Sequence, residues 1–293
     1  MPDHQQTAVR AELARAKVNL ALHITGQRND GYHLLESLVA FPQIGDRIAL
    51  EPSEKLELDI DGPFARELDL AGDNNLVLRA VRGFAERAKI DVPSVKITLT
   101  KRLPVASGIG GGSSDAATTL RLLEDVTGVY LSDADLHELA ASLGADVPVC
   151  LTPEPQVMRG IGEDLAAAPL LPACGIVLVN PKVTLETPDV FGALDKKNNP
   201  QLAKMPDAFD DIAALIAYLT NSRNDLQTPA MSACGAIGEV LNFLQGDSRI
   251  LFSRMSGSGA TCFGLCAPTE MRAIETDLRT AHPDWWIASG PLS

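Results

Sequence analysis

The chain has 293 residues, of which 45% are hydrophobic, with Lys+Arg 25 against Asp+Glu 38 and a formal net charge of −13. That apolar content is enough for a core and excludes a disordered chain, and the length allows two domains or one large one. The acidic balance argues against a nucleic-acid partner, because such binders draw most of their affinity from neutralising phosphates. Any anionic ligand must therefore be held by a few local groups. No apolar run approaches a membrane span, and the segment Met1 to Arg15 is polar, without a signal core. The expectation is a cytoplasmic chain with no membrane partner. Cys150, Cys174, Cys234, Cys262 and Cys266 are odd in number and scattered. They read as buried, reduced thiols rather than as a disulfide frame or a zinc site.

In chain order, Arg10 to Leu22 alternates apolar and polar residues as a strand does. Arg47 to Leu58 reads as strand interrupted at Glu51-Pro52-Ser53, and Asn75 to Lys89 as a helix with Leu76, Ala80 and Phe84 on one stripe. Val95 to Leu103 alternates strictly at its start, as a half-buried strand should. A glycine-rich loop, Gly108 to Gly112, leads into a helix opened by Ser113-Ser114-Asp115, running to about Val126 and stopped by Gly128. Ser132 with Asp135 three later predicts a capped helix carrying Leu136, Leu139, Ala140 and Leu143, stopped by Gly144. The Pro-rich stretch from Pro148 to Pro172 marks the candidate boundary between domains 1–160 and 161–293. Beyond it the pattern predicts a strand at Gly175 to Asn180, helices at Asp210 to Leu219 and Met231 to Leu244, and a strand at Thr261 to Cys266. A helix at Thr269 to Thr280 and a strand at Trp285 to Ala288 complete the series. Strands and helices mix without regular βαβ alternation, so the fold class is α+β.

The strongest chemical signal is Pro104-Val-Ala-Ser107-Gly108-Ile109-Gly110-Gly111-Gly112-Ser113-Ser114-Asp115. Its glycines bare the backbone N–H groups, and it runs into a helix N-terminus, where free N–H groups and the helix dipole favour an anion. It reads as a phosphate cradle. No Lys follows as in a Walker loop, and the dinucleotide fingerprint fails because Ser113 stands where the last Gly belongs. A second glycine turn, Gly257-Ser258-Gly259, suits close approach of backbone to a ligand or to another loop, and equally an ordinary tight turn. Asp146 sits in an apolar run directly after a helix stop, either as a proton acceptor with a cation beside it or as the cap of the next turn. Lys17 and Asn19, two apart, would share one strand face, which turns either to a site or to solvent. Tyr32 and His33 follow an Asp-Gly turn and could stack on a base and bond its edge, or simply anchor the loop.

Taken in order, A-K-V-N-L, D-G-Y-H-L-L, L-P-V-A-S-G-I-G-G-G-S-S-D, L-G-A-D-V-P and S-G-S-G-A-T resemble the GHMP small-molecule kinases over residues 10 to 265. The D-G-Y-H element and the G-G-G-S-S-D form resemble the branch whose alcohol substrate carries a cytidine diphosphate group. The resemblance implies a ribosomal-protein-S5-like N-terminal domain, which binds ATP and carries the catalytic groups, and a ferredoxin-like C-terminal domain. It implies ATP as phosphoryl donor and Mg2+ with unassigned ligands, in a monomer or homodimer that makes isoprenoid precursors. Asp146 would be the catalytic base with Lys17 as partner. Pro104 and Ser107 to Ser114 would hold the ATP phosphates, and Asn75 and Lys101 would line the adenosine pocket. Asn19, Tyr32, His33, Thr187 and Phe191 would hold the substrate, with the base between Tyr32 and Phe191. Homoserine or mevalonate kinase is the alternative within the family. Two features depart from the family pattern: Ala106-Ser107 precede Gly108 where the family commonly has glycines, and the Pro153 to Arg159 stretch is short.

Overall fold

The computed structural model describes residues 9–68 and 74–292. The extension ahead of Val9 lies outside the described residues. The elements in chain order are β1 (Arg10–Arg15), β2 (Val18–Gln27), β3 (His33–Ala40), β4 (Gly45–Pro52), β5 (Glu57–Asp61), α1 (Ala65–Leu68), α2 (Leu76–Ala88) and β6 (Val95–Thr100). They continue as α3 (Gly111–Thr127), α4 (Asp133–Leu143), α5 (Val147–Cys150), β7 (Gln156–Gly160), β8 (Asp164–Ala167), β9 (Gly175–Asn180) and α6 (Thr187–Gly192). The last are α7 (Ile212–Thr220), α8 (Gln227–Ala233), α9 (Gly235–Gly246), β10 (Ile250–Met255), β11 (Cys262–Cys266), α10 (Met271–Ala281) and β12 (Trp286–Pro291). Packing divides the chain into two units that interleave along the sequence. One takes the residues up to Arg15, Gly45–Val105 and Gly111–Thr152; the other takes Ala16–Ile44, Ala106–Gly110 and Pro153 onward. The cut at 160/161 divides the chain by sequence rather than by packing.

The first unit is one sheet, in the order β1-β4-β6-β5, with the helices α1 to α5. Alternation builds it: Val95, Ile97 and Leu99 of β6 point inward, while Lys96, Thr98 and Thr100 stay partly exposed. α2 starts where Asn75 turns its side-chain oxygen to accept the Val77 N–H at 2.9 Å, so Asn75 is the cap rather than the first helical residue. Its buried stripe is Val77, Ala80, Val81, Phe84 and Ala85. α4 is capped by Ser132, as its sequence predicts. α3 begins two residues before the expected Ser113, and Ser114 through Leu120 are all buried in it. This helix is the spine of the unit.

The second unit holds two sheets, β2-β3-β7-β8 and β10-β11-β9-β12. Counted along the chain, the second is a four-stranded antiparallel sheet in the order 4-1-3-2, with α6 to α9 after its first strand and α10 before its last. That is the ferredoxin-like βαββαβ arrangement. Val177 and Val179 meet Ile237, Val240, Leu241, Leu244, Ile274 and Leu278 in its core.

Three sequence expectations change. Met231 to Leu244 is two helices, because Cys234 is extended (φ −140°) and separates α8 from α9. The Pro-rich stretch holds the short helix α5 and the hairpin β7–β8, with Gly160 and Gly162 at positive φ around its turn. Lys17 does not lie in a strand with Asn19: β1 ends at Arg15 and β2 starts at Val18, so Lys17 stands in the break. All five cysteines are buried thiols. Among the described residues, no helix is long and apolar enough to cross a membrane.

Candidate active site

In the first unit, the glycine-rich segment becomes helical at Gly111, and the N–H groups at the start of α3, Gly111 to Ser113, have no carbonyl four residues back within the helix to bond. An anion is favoured there by those groups and by the helix dipole. Ser114 is buried and its hydroxyl donates to the Arg15 carbonyl. Beneath this turn lies Lys101, 2% exposed. Its ammonium donates to Asp46 Oδ2 at 2.5 Å and to Asp115 Oδ2 at 2.8 Å. The Lys101 head is thus held by two carboxylates. Burial pushes Asp115 up to about 7; the Lys101 charge opposes that shift and the Asp46 charge adds to it. Pro104 is buried just before the glycines. Asp146 is half-buried at the position before α5 and makes no capping hydrogen bond to that helix, so the turn-capping reading of its carboxylate falls away.

In the second unit the two glycine turns face each other. Gly108 has φ +74°, and a Cβ on it would lie 2.5 Å from the Gly259 carbonyl oxygen. Gly257 has φ +56°, and a Cβ on it would lie 2.7 Å from the Gly108 oxygen. Only glycine allows this approach. The Ser107 carbonyl accepts from the Thr261 N–H and hydroxyl, and Ser256 Oγ donates to the Gly108 carbonyl. The second glycine turn therefore serves to hold the first. Lys17 is brought to the same loop: its N–H donates to the Ile109 carbonyl at 2.9 Å, and its stem passes within 3.2 Å of where a Gly110 Cβ would stand. Lys17 and Asn19 are 5% and 2% exposed, so the solvent-facing reading fails for both.

The residues expected to hold substrate lie in this unit too. The Asn19 N–H donates to Ser256 Oγ at 3.0 Å, and its amide donates to Ser37 Oγ at 2.7 Å. Asn19 Oδ1 and His33 Nε2 are buried polar atoms that no protein group satisfies. His33 lies against the Phe191 ring, with centroids 5.0 Å apart. Burial, and after it the Lys197 charge, lower its pKa from the ordinary histidine value, which favours the neutral imidazole. Thr187 Oγ1 is 2.8 Å from Ser258 Oγ, which ties α6 to the second glycine turn. Tyr32, behind the Gly31 turn, remains 62% exposed. Phe191 thus has His33, rather than Tyr32, as its aromatic neighbour. Two pairs escaped sequence reasoning. Ser37, on the neighbouring strand β3, and Ser256, just past the end of β10, are bonded to Asn19, and Asp46 and Asp115 flank Lys101. Ser256, inside the S-G-S-G-A-T motif, and Asp115, at the start of its helix, had a signal; Ser37 and Asp46 had none.

The model for the GHMP kinases N terminal domain matches residues 75–153, and that for the GHMP kinases C terminal region matches residues 200–284. A 4-diphosphocytidyl-2-C-methyl-D-erythritol kinase of Ruegeria pomeroyi is 51% identical, over 94% of this chain and 97% of its own. A solved 4-(cytidine 5'-diphospho)-2C-methyl-D-erythritol kinase superposes with a TM-score of 0.78 at 32% identity, over 97% of this chain and 99% of that one. A homoserine kinase from Cytophaga hutchinsonii reaches a TM-score of 0.71 at 16% identity, over 99% and 96%, a likeness of fold alone. By its two matched domains and its full-length relatives, the chain belongs to the GHMP kinases.

Proposed function

We propose that the chain transfers the γ-phosphoryl group of ATP to the 2-hydroxyl of 4-diphosphocytidyl-2-C-methyl-D-erythritol, in the non-mevalonate route to isoprenoid precursors. The observation that carries this reading is the 51% identity, over nearly the whole of both chains, to a relative of that name. The second unit supports it. His33 against Phe191, its neutral form favoured by burial, with His33 Nε2 and Asn19 Oδ1 unsatisfied by any protein group, suits the flat, hydrogen-bonding edge of a cytosine. A small acceptor such as homoserine or mevalonate needs no such face.

Asp146 accepts the proton of the attacking hydroxyl, and Lys17 supplies positive charge for the transferring phosphoryl. The bare N–H groups of Gly111 to Ser113, with the loop from Ser107 to Ser114, bind the triphosphate. Asn75 and the Lys101 segment line the adenosine end, Tyr32 closes on the base by stacking, and Thr187 contacts the acceptor. Little covalent chemistry is left to the protein, so positioning and fixed charge supply most of the rate. Among the described residues, no three or more His, Cys, Asp or Glu side chains form a metal cage. Mg2+ would come with the ATP phosphates and water, and so needs at most one or two protein oxygens. When bound, the cation neutralises charge on the phosphates.

The test is product analysis after incubation with MgATP and the cytidine substrate. A product phosphorylated at the 2-hydroxyl, formed in step with ADP, is expected. ADP release without acceptor phosphorylation overturns the reading.

A further inference from the structure

The Asp46–Lys101–Asp115 cluster does more than fill the core, because it touches both ends of the glycine-rich segment. On the entry side, Asp46 Oδ1 accepts the backbone N–H groups of Arg102 at 2.6 Å and Leu103 at 2.8 Å, directly before Pro104. On the exit side, Asp115 stands in the opening of α3, four residues after Gly111. Gly111 itself rests on the cluster: a Cβ there would lie 3.1 Å from Lys101 Nζ and 3.5 Å from Asp46 Oδ2. All three charged side chains are at most 3% exposed. A buried cluster of this kind is a weak source of stability, since desolvation offsets most of the attraction, but it fixes geometry tightly. We infer that the triad is a brace that sets the first turn of α3 against the strand end at Arg102–Leu103, which makes Asp115 a positioning residue for the nucleotide phosphates. This rests on the reading of the Gly111–Ser114 turn as a phosphate-binding element.

The brace acts on the nucleotide and not on the acceptor, so it separates the two Michaelis constants. A residue needed only for folding lowers the melting temperature and the amount of active protein, with both constants unmoved. The experiment measures KM for MgATP, KM for the acceptor and the melting temperature for D115A, D115N and G112D. D115A is expected to raise the ATP KM by about tenfold or more, the worth of one lost buried partner, and to leave the acceptor KM within about twofold. D115N keeps an oxygen that accepts from Lys101, and is expected to bring the ATP KM back to within about threefold of wild type. A folded D115A with an unchanged ATP KM, or with both constants raised alike, overturns the brace. If D115A does not fold, D115S, one bond too short to reach the ammonium, is read in the same way. G112D places a carboxylate on the exposed first turn, where a Cβ has room, 3.5 Å from Leu76 Cδ1. Weakened ATP binding in G112D beside an unchanged D115A or D115S defeats the brace alone. An unchanged ATP KM in G112D defeats the phosphate reading of this turn and the brace with it.

Discussion

Replacing Asp146 by Asn keeps the shape of a half-buried side chain and removes only its capacity to take a proton. Turnover is expected to fall by about 10²–10⁴-fold, the usual worth of a general base, with the ATP KM little changed. Steady-state kinetics checks this, and activity within a few fold of wild type removes Asp146 from the chemistry. Tyr32→Ala removes a 62% exposed ring without disturbing the core. It is expected to weaken the cytidine substrate by about 1–3 kcal/mol, the worth of one base stack, and titration calorimetry reads this directly. At this scale the sequence was partly legible. Lys17, Asn19 and the glycines stand in short ordered motifs, which single them out but leave open whether they turn to a site, to solvent or to another loop. Asp46 is not singled out: it sits at the second position of a strand, and its link to Lys101 spans 55 residues. No local pattern announces a pairing made that late in the chain.

Elements that carry their own start and stop signals were read well. Ser132 caps α4 by accepting the Asp135 N–H at 3.1 Å, and it lies on the surface. Ser132→Ala is therefore expected to cost about 0.5–2 kcal/mol of stability with kcat unchanged, measured by chemical denaturation beside a turnover assay. The strand Gly175–Asn180 was legible to the residue, because its unbroken apolar run fits a strand buried on both faces, as all six of its residues are. β3, β7, β8 and β10 were missed for physical reasons. β7 and β8 are only 5 and 4 residues long and lie among prolines and glycines. β10 has the burial pattern ieiiBB, so no alternation betrays it. β3 begins at His33, inside a segment that reads as a turn. Where a strand is defined by its neighbours rather than by its own pattern, single-sequence reasoning has little to hold.

For the whole molecule, fold class and family were legible from motif order, whereas the 4-1-3-2 strand order and the interleaving of the two units were not. Those follow from pairings between distant segments. One molecular property does follow from a single buried group. Burial raises the folded-state pKa of Asp115 from 3.8 to about 7, so the folded chain holds a proton there that the unfolded chain gives up. Its contribution to stability is full below about pH 4 and is lost as pH rises through about 7. Urea denaturation across that range is expected to show this loss in the wild type and a flatter profile in D115N. Parallel profiles for the two proteins contradict the assignment.

The central claim is best tested by the choice of acceptor. With MgATP and coupled detection of ADP, kcat/KM is measured for 4-diphosphocytidyl-2-C-methyl-D-erythritol, mevalonate, homoserine and galactose. Turnover with the cytidine compound and none with the other three is the expected result. Efficient turnover of any of the other three, with the cytidine compound inert, leaves the GHMP kinase fold standing and contradicts the cytidine site built on Asn19, His33 and Phe191.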